Sequence, residues 1–537
     1  MRRIFNIIII SAMLVGGLSF ASAPAPAAAQ TDDQGRGVPA TVVYNLYATD
    51  GYIELPDGLP LYMYGFIGGR QGVDFTYQTR FIPGVIPSNL TVAGGAVAPQ
   101  GGVWAGQDAN FAGNAQFPAP IIYATAGDVV EIRLKNLGVA ANPAAPNDPH
   151  SIHLHGLDVD AANDGVPETS LGAVPANLCA NGTSAPNGVC GPKAGGPAPG
   201  AGNVIVYMFS PTHAGTYMYH CHQEADIHVQ MGMYGALVVY NTGDPAAAVG
   251  PGQGLGGQLF GHPYDKDYIL LLSEFDVRGH QSEAGTYKPQ SWDPKPYNWA
   301  LYQPQYWQIN GISFPNTIHA GWLSGYTFTQ WLAAHPGYDP LITGSVSGGS
   351  GAWGGTPGEK VLIRVINMGF ETQPMHMHGY HGKILGSDQR AWDWANVPGV
   401  TPFNQGLEKN TLTIGSGETY EWLVDFGQQS FQSTYPAGTQ SRYYDGTVNC
   451  QTSLTGLGLP LPALNTPVTN QATGCPAIPE FGNPLMPPYI GGPTVTGAVG
   501  LPPSTSQFFP FHNHDDYKAT NNGVYPGGMF TMLVPTP

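Results

Sequence analysis

The chain has few charged residues and few cysteines for its length. Only 10% of its 537 residues are charged, and 36 acidic side chains outnumber 19 basic ones, which gives a net charge of −17. Such a surface attracts cations and offers nothing to nucleic acid or anionic lipid. After the first 20 residues no stretch reaches the roughly 18 apolar residues that span a bilayer. We therefore expect no nucleic-acid partner and no membrane partner.

The N-terminus has the pattern of an export signal. Arg2 and Arg3 precede an apolar run over residues 4–20, and small residues with A-x-A cleavage options follow over 21–29. We predict a signal peptide at residues 1–29 and an exported protein, periplasmic or extracellular. The paired arginines fit the twin-arginine route and equally fit an ordinary signal.

The five cysteines divide into two pairs and one remainder. Two short loops are each bracketed by cysteines, and in an oxidising compartment this predicts two local disulfides. The bracketing pairs are Cys179 with Cys190 and Cys450 with Cys475. Cys221 is left over, and in an exported protein it is either an inert buried residue or a ligand.

The leftover cysteine lies in the β-rich stretch GTYMYHCH, between His220 and His222. Successive side chains on a strand face opposite ways, so the two histidines point to one side and Cys221 to the other. One tripeptide can therefore serve two sites. Downstream, His228 and Met233 complete three of the four ligands of a blue-copper site with an axial methionine.

Met231 competes with Met233 for the axial position. The spacing from His228 favours Met233, as does the parallel between GMYGALVVY at residues 232–240 and GGMFTMLV at 527–534, which contains Met529.

Histidine occurs in H-x-H pairs far more often than chance predicts. Sixteen histidines placed at random would give roughly half of one such pair, whereas the sequence has four. The pairs are His153 with His155, His220 with His222, His376 with His378, and His512 with His514. His150 precedes the first pair and is far enough back to reach a different metal.

The pairs belong to an internal repeat. GDVVEIRLKN at 127–136 precedes the first pair, and GEKVLIRVIN at 358–367 precedes the third. We predict two copies of a β-sandwich: residues 40–242, a Gly/Pro-rich linker at 243–264, and residues 265–537 with an insertion at about 428–507. A degenerate third sandwich over 268–351 is the alternative.

The second copy has lost most of one site. Gln373 stands where the first copy has His150, Asn513 where it has Cys221, and Val524 where it has His228, while Met529 remains. All of the paired histidines are kept. Two kinds of site are specified, and only one of them is duplicated.

These motifs together resemble the multicopper oxidases. The resemblance implies an all-β fold with two cupredoxin-like Greek-key β-sandwich domains and long loops. It implies a type 1 copper on His150, Cys221, His228 and Met233 and a type 2 copper on His153 and His376. It implies a type 3 pair on His155, His220, His222, His378, His512 and His514. One departure is that His228 lies six positions after His222, which lengthens this loop.

The implied activity is that of a laccase-like oxidase with about four coppers per chain. Its partners would be dioxygen and a small reducing substrate, which is a phenol, an amine or a metal ion. The resemblance also implies a homotrimer with trinuclear clusters between subunits. The alternatives are an enzyme similar to copper nitrite reductase, with one type 2 copper on three histidines, and a non-enzymatic electron shuttle with a single blue site.

The implied reaction needs a path for electrons and a supply of protons. Cys221 would accept the electron, and its neighbours His220 and His222 would pass it to the cluster. Asp164, shortly after the first pair, is the candidate proton relay, with Glu224 and Asp226 as competitors. The alternative for Asp164 is that it only closes an Asp-Gly turn.

Overall fold

The computed structural model describes residues 38–78, 87–92, 108–175, 204–288, 297–319, 327–345, 358–392, 407–427 and 509–536. The predicted signal peptide, both predicted disulfides and the predicted insertion lie outside these residues. Within them, every helix is too short or too polar to cross a bilayer.

The first half of the chain folds into two facing sheets, with strand orders β2-β1-β6-β8 and β5-β10-β9-β7, and a separate hairpin β3-β4. The strands are β1 (Val42–Glu54), β2 (Pro60–Arg70), β3 (Phe75–Gln78), β4 (Asn89–Val92), β5 (Ile122–Thr125), β6 (Val130–Asn136), β7 (His153–His155), β8 (Val204–Phe209), β9 (Gly215–His220) and β10 (Tyr234–Tyr240). Two single-turn helices accompany them, α1 (Asp108–Phe111) and α2 (Ala225–His228).

The second half repeats this arrangement, as the sequence repeat predicts. Its strands are β11 (Gly257–Leu259), β12 (His262–Tyr264), β13 (Lys266–Phe275), β14 (Tyr306–Ile309), β15 (Ile342–Ser345), β16 (Lys360–Asn367), β17 (Gln373–Met377), β18 (Gly382–Ser387), β19 (Arg390–Ala391), β20 (Leu407–Lys409), β21 (Thr411–Ile414), β22 (Thr419–Asp425), β23 (Phe509–Asn513) and β24 (Phe530–Thr536). Its helices are α3 (Val277–Glu283) and α4 (Phe328–Ala334). The sheet orders are β14-β13-β16-β22-β18-β19, with β20 paired to β18, and β15-β24-β23-β17-β21. The first four strands of each order correspond to those of the first half, and the remaining strands extend one edge.

Period-two patterning explains why these segments pair as sheets. Along β1, the side chains of Val42, Tyr44, Leu46 and Ala48 all enter the core of the first sandwich, whereas Tyr47 joins a smaller cluster on the other face. Each sandwich has its own core, and a third buried cluster contains residues of both halves, among them Val238 and Leu271. The predicted all-β, two-sandwich fold is confirmed.

The region between the sandwiches is more ordered than its composition suggests. β11 and β12 form a hairpin inside the predicted linker, from Gly257 to Tyr264. Farther on, β13, β14 and β15 enter the two sheets of the second sandwich. Among the described residues, the alternative of a third sandwich therefore has no sheet of its own. The exact domain boundaries stay a prediction.

Buried polar groups join the two sandwiches beside β9. Arg364 donates from Nε to Asp267 at 2.8 Å and from Nη1 to the Thr216 hydroxyl at 3.2 Å. The backbone N–H of Thr216 donates to Oε1 of Glu421 at 3.0 Å. Both Arg364 and Glu421 are at most 1% exposed. This network connects the strand that carries His220 to the second sandwich.

Gln389 adds a further contact from the hairpin between β18 and β19. Asp388 and Gln389 both have positive φ, so the turn is tight. The Gln389 amide donates to the carbonyl oxygen of Thr216 in the first sandwich and to the hydroxyl of Thr419 in the second. The contact fixes the start of β9 against the second sandwich.

We predict that Glu421 makes folding stability depend on pH. Burial raises the pKa of Glu421 to about 7 from 4.5. Between these two pKa values Glu421 is protonated in the folded protein and ionised in the unfolded chain. Stability therefore falls as the pH rises from about 4.5 to 7. At about 1.4 kcal/mol per unit of pKa difference, the loss is roughly 3 kcal/mol.

The Glu421→Gln variant should reduce this loss, because the amide carries no charge at any pH in the range. The measurement is urea unfolding of the copper-loaded protein between pH 5 and 8. Glu408→Gln, a change at an exposed glutamate on β20, is the matched control. An unaltered pH dependence in Glu421→Gln would refute the assignment.

Candidate metal centre

Cys221 lies at the end of β9 with a histidine on each side of its thiol. Its Sγ is 3.8 Å from Nδ1 of His150 and 3.5 Å from Nδ1 of His228, and all three residues are at least 96% buried. The N–H of Ser151 donates to Sγ at 3.4 Å. The three ligand atoms thus converge in a dry pocket.

The donor set fits copper. A trigonal metal with bonds of about 2.0–2.3 Å holds its ligand atoms roughly 3.5–3.8 Å apart, which matches the sulfur–nitrogen separations here. Burial lowers the pKa of His228, but the charges of Cys221 and Asp148 outweigh burial and raise it to about 10. Burial lowers the pKa of His150 well below its usual value. The negative charges near His228 thus attract a positive charge, which a bound metal ion would supply in place of the ring proton.

The loop after His222 forms the single-turn helix α2, which ends at His228. Glu224 begins it with a left-handed backbone, at φ 44°. The backbone then returns to Cys221, because Met233 donates its N–H to the carbonyl of His228 at 3.1 Å and accepts the N–H of Cys221 at 3.0 Å. The longer loop noted in the sequence is therefore one helical turn.

The first two histidine pairs form one cluster, which we call quartet one: His153, His155, His220 and His222. His153 and His220 are paired across β7 and β9, and their ring centroids lie 5.1 Å apart. Burial lowers the pKa of His155 and lowers that of His220 to about 3, so both rings are neutral at pH 7, as metal ligation requires.

Hydrogen bonds at Nδ1 set the orientation of two quartet-one rings. Nδ1 of His153 lies 2.8 Å from the carbonyl oxygen of Asp164 and 3.1 Å from its Oδ1. Nδ1 of His220 lies 3.0 Å from the carbonyl of Cys221. When each Nδ1–H donates to its carbonyl, Nε2 is left as a lone-pair ligand.

The other two pairs form quartet two: His376, His378, His512 and His514. His376 and His512 are paired across β17 and β23, as the corresponding residues are in quartet one. Nε2 of His378 and Nε2 of His512 lie only 3.1 Å apart, which suits two ligands of one ion with bonds of about 2.0 Å. Burial and the neighbouring rings lower the pKa of His376, His378 and His512.

The two quartets do not meet within the chain. Among the described residues, the ring contacts between these eight histidines join members of the same quartet. From the second sandwich, quartet one meets Gly417 instead, where a Cβ would lie 3.3 Å from Cε1 of His155. His378 and His514 of quartet two are exposed. Each sandwich therefore presents half of a metal-binding set.

The second copy of the blue site is filled by amides. The Asn513 amide donates to Oε1 of Gln373 at 2.6 Å and to Sδ of Met529 at 3.4 Å. The Gln373 amide in turn donates to Oε2 of Glu274 at 2.7 Å. Val524, the counterpart of His228, is 55% exposed. Hydrogen bonds thus replace the metal ligands of the first copy.

The candidate proton relays lie in different places. Asp164 contacts His153 of quartet one and is partly exposed, with 32% of its side chain accessible. Glu224 and Asp226 lie instead on the loop that presents His228, and Glu224 is grouped with His228 and Asp148. The sequence reading overlooked Asp148, although it lies only two positions before His150. Which acid relays protons stays a prediction.

Each sandwich consists of two mixed β-sheets, and the first carries a buried cysteine between two histidines at one end. This arrangement is that of the cupredoxin class. The family model for multicopper oxidases matches residues 96–243 and 354–428 of this chain. Multicopper oxidases are oxidoreductases that use copper.

Copper resistance protein A of Escherichia coli is 22% identical to this chain over 365 residues, which is 65% of this chain and 48% of that protein. Multicopper oxidase MmcO of Mycobacterium tuberculosis is 24% identical over 308 residues, which is 57% of this chain and 46% of that protein. The chain spans about half the length of the curated relatives it matches. The crystal structure of the blue copper oxidase from Nitrosomonas europaea covers 91% of this chain and 85% of its own, with 18% identity and a TM-score of 0.44.

We predict that Met233, and not Met231, is the axial ligand. Both methionines are fully buried, but only the backbone of Met233 is hydrogen-bonded to the backbones of Cys221 and His228. Met233→Leu keeps the volume and removes the thioether, so it should raise the reduction potential of the copper-loaded protein and shift its blue thiolate-to-copper absorption.

Met231→Leu is the matched control and should leave both properties near those of the unaltered protein. The measurements are an absorption spectrum and a redox titration. If the two variants exchanged these results, Met231 would be the ligand.

Proposed function

We propose that this chain is a laccase-like oxidase that couples one-electron oxidation of a small reducing substrate to four-electron reduction of dioxygen to water. The observation that carries the proposal is the position of Cys221 between two members of quartet one. Its thiol lies with His150 and His228, while His220 and His222 lie together on the opposite side as members of quartet one. When bound, copper supplies the one-electron redox chemistry and the site of dioxygen reduction.

The residues of the chain provide the route and its insulation. An electron that enters at His228 reaches the Cys221 thiolate, and the backbone on either side of Cys221 leads covalently to His220 and His222. Burial of His150, Cys221 and His228 excludes water from the entry site. At quartet one, Asp164 holds His153 by Nδ1 and can pass protons inward from solvent through its partly exposed carboxyl group.

The proposed oxidase carries about four coppers per chain, one on His150, Cys221, His228 and Met233 and three on the two quartets. Copper analysis tests this directly. An enzyme similar to copper nitrite reductase would hold about two per chain, and an electron shuttle about one. Oxygen consumption with phenols, amines and ferrous, manganous and cuprous ions, together with anaerobic nitrite reduction, separates the activities.

We further propose that the three-metal cluster forms between chains of a homotrimer. The separation of the quartets supports this, as does the exposure of His378 and His514, because exposed ligands of a cluster need a covering surface. In a cyclic trimer, the first sandwich of one chain would face the second sandwich of its neighbour, and a heterologous contact of this kind closes into a ring. Export of the protein stays a prediction from its N-terminus.

A subunit-mixing experiment tests the shared cluster. His155→Ala disables quartet one and His378→Ala disables quartet two, so each variant alone should lack oxidase activity. Co-expression of the two should restore roughly a quarter of the clusters, namely those that combine an intact first sandwich with an intact second sandwich from the neighbour.

Co-expression of His155→Ala with His222→Ala is the control. Both changes fall in quartet one, so no intact cluster can form. If the His155→Ala and His378→Ala mixture stayed as inactive as this control, although size measurements showed mixed trimers, the cluster would lie within one chain.

A further inference from the structure

A cavity of about 70 Å³ lies where the two sandwiches meet. The first sandwich contributes β1, β3 and the loop after α1 to its wall, and the second contributes α4 and the turn after β14. α4 packs against β3, and both elements line the cavity. The described lining residues include none of the proposed copper ligands, so the cavity is distinct from the metal centre.

Two buried polar atoms in this wall have no hydrogen-bond partner among the described residues. They are the hydroxyl oxygen of Tyr77 and Oδ1 of Asn114. Tyr77 is only 1% exposed. Nδ2 of Asn114 donates to the carbonyl of Asn110 at 2.8 Å, which fixes the amide with its oxygen unpaired. Buried polar groups are rarely left unpaired, and two in one cavity wall call for a common polar partner.

The two atoms differ in the partner that they require. Oδ1 of Asn114 can only accept a hydrogen bond, whereas the hydroxyl of Tyr77 carries a proton that it can donate. Burial raises the pKa of Tyr77, so its hydroxyl stays protonated at pH 7. A ligand that pairs with both atoms therefore needs a donor group and an acceptor group.

The charges and rings of the wall favour a cation as the donor group. Glu54 is the one acidic residue among the described lining residues, and no lysine or arginine is among them. Burial lowers the pKa of His335 to about 4, so its ring is uncharged at pH 7. Tyr52, Tyr77 and Trp331 bring aromatic rings from both sandwiches. Proteins use aromatic rings of this kind to recognise organic ammonium ions.

The volume of the cavity limits the size of the ligand. A buried water needs roughly 10–15 Å³ of such a cavity, so the space suits about five to seven non-hydrogen atoms at most. Tyr52, Glu54 and Gln78 in the wall are partly exposed, which gives a ligand access from solvent.

We infer that this cavity binds a small amino alcohol in its ammonium form. The ammonium group donates to Oδ1 of Asn114, and the charge of Glu54 balances its own charge. The hydroxyl group of the ligand accepts a hydrogen bond from the hydroxyl of Tyr77. Because the wall contains residues of both sandwiches, the bound ligand stabilises their interface. The site goes beyond the proposed function and does not depend on it.

Three molecules of similar shape separate the effect of charge from that of hydrogen bonding. They are ethanolammonium, ethylene glycol, which lacks the charge, and n-propylammonium, which lacks the acceptor. Calorimetric titration of each into the copper-loaded protein, at pH 7 and matched chloride concentration, gives the affinities. Ethanolammonium should bind roughly tenfold or more tightly than ethylene glycol and about fivefold more tightly than n-propylammonium. Absence of ethanolammonium binding, or affinities that do not follow this order, would overturn the site.

Two conservative variants locate the binding in the cavity. Tyr77→Phe removes only the unpaired hydroxyl, so it should lower the affinity for ethanolammonium about fivefold and leave the stability of the ligand-free protein undiminished. Glu54→Gln keeps the shape of the side chain and removes its charge, so the affinity for ethanolammonium should fall roughly tenfold and that for ethylene glycol should hardly change. Glu408→Gln, at the exposed glutamate on β20, is the matched control. Unaltered affinity for ethanolammonium in either cavity variant would refute the assignment.

Discussion

The alternation of side chains along an extended strand is the constraint on which the rest of the molecule depends. At the end of β9 it directs Cys221 into the core of the first sandwich and leaves His220 and His222 on the opposite side. One tripeptide thereby contributes to two ligand sets. Cys221 contributes sulfur to one set, and His220 and His222 contribute imidazoles to the other. The pairing of β9 with β10 on one side and β7 on the other holds this alternation in register.

The duplicated fold preserves its framework more strictly than its chemistry. In both halves an asparagine ends a central strand and accepts the N–H of the glycine two residues on. Asn136 accepts from Gly138 at 2.8 Å, and Asn367 accepts from Gly369 at 3.0 Å. The neighbouring pocket differs, because His150 and Cys221 in one half correspond to a hydrogen-bonded amide pair in the other. The second pocket is filled by side chains that are hydrogen-bonded to one another.

Much of this architecture could be predicted from the sequence, since it depends on local periodicity. The H-x-H pairs and the strands before them place the histidines of both quartets, and the structure groups them four by four. The repeat likewise predicts that β15, β24, β23 and β17 copy the first sandwich.

Other features could not be predicted because they arise from long-range packing. His280 on α3 has its Nδ1 2.7 Å from the carbonyl oxygen of Tyr62, far earlier in the chain, because α3 folds back over the first sandwich. Gln389 contacts Thr216 across the interface for the same reason. The sequence indicated the helical turn before His228 only as extra loop length. The orientation of the His228 ring could be seen only in the folded structure.

The amide-filled pocket also gives the proposed ring a direction of electron flow. A cluster shared by two subunits would be flanked on one side by the sulfur of Cys221 and on the other by Asn513, which cannot be oxidised under the same conditions. Electrons would therefore reach each cluster from one subunit alone, and none would cross from the neighbour. A trimer built in this way would contain three clusters, each supplied with electrons independently of the other two.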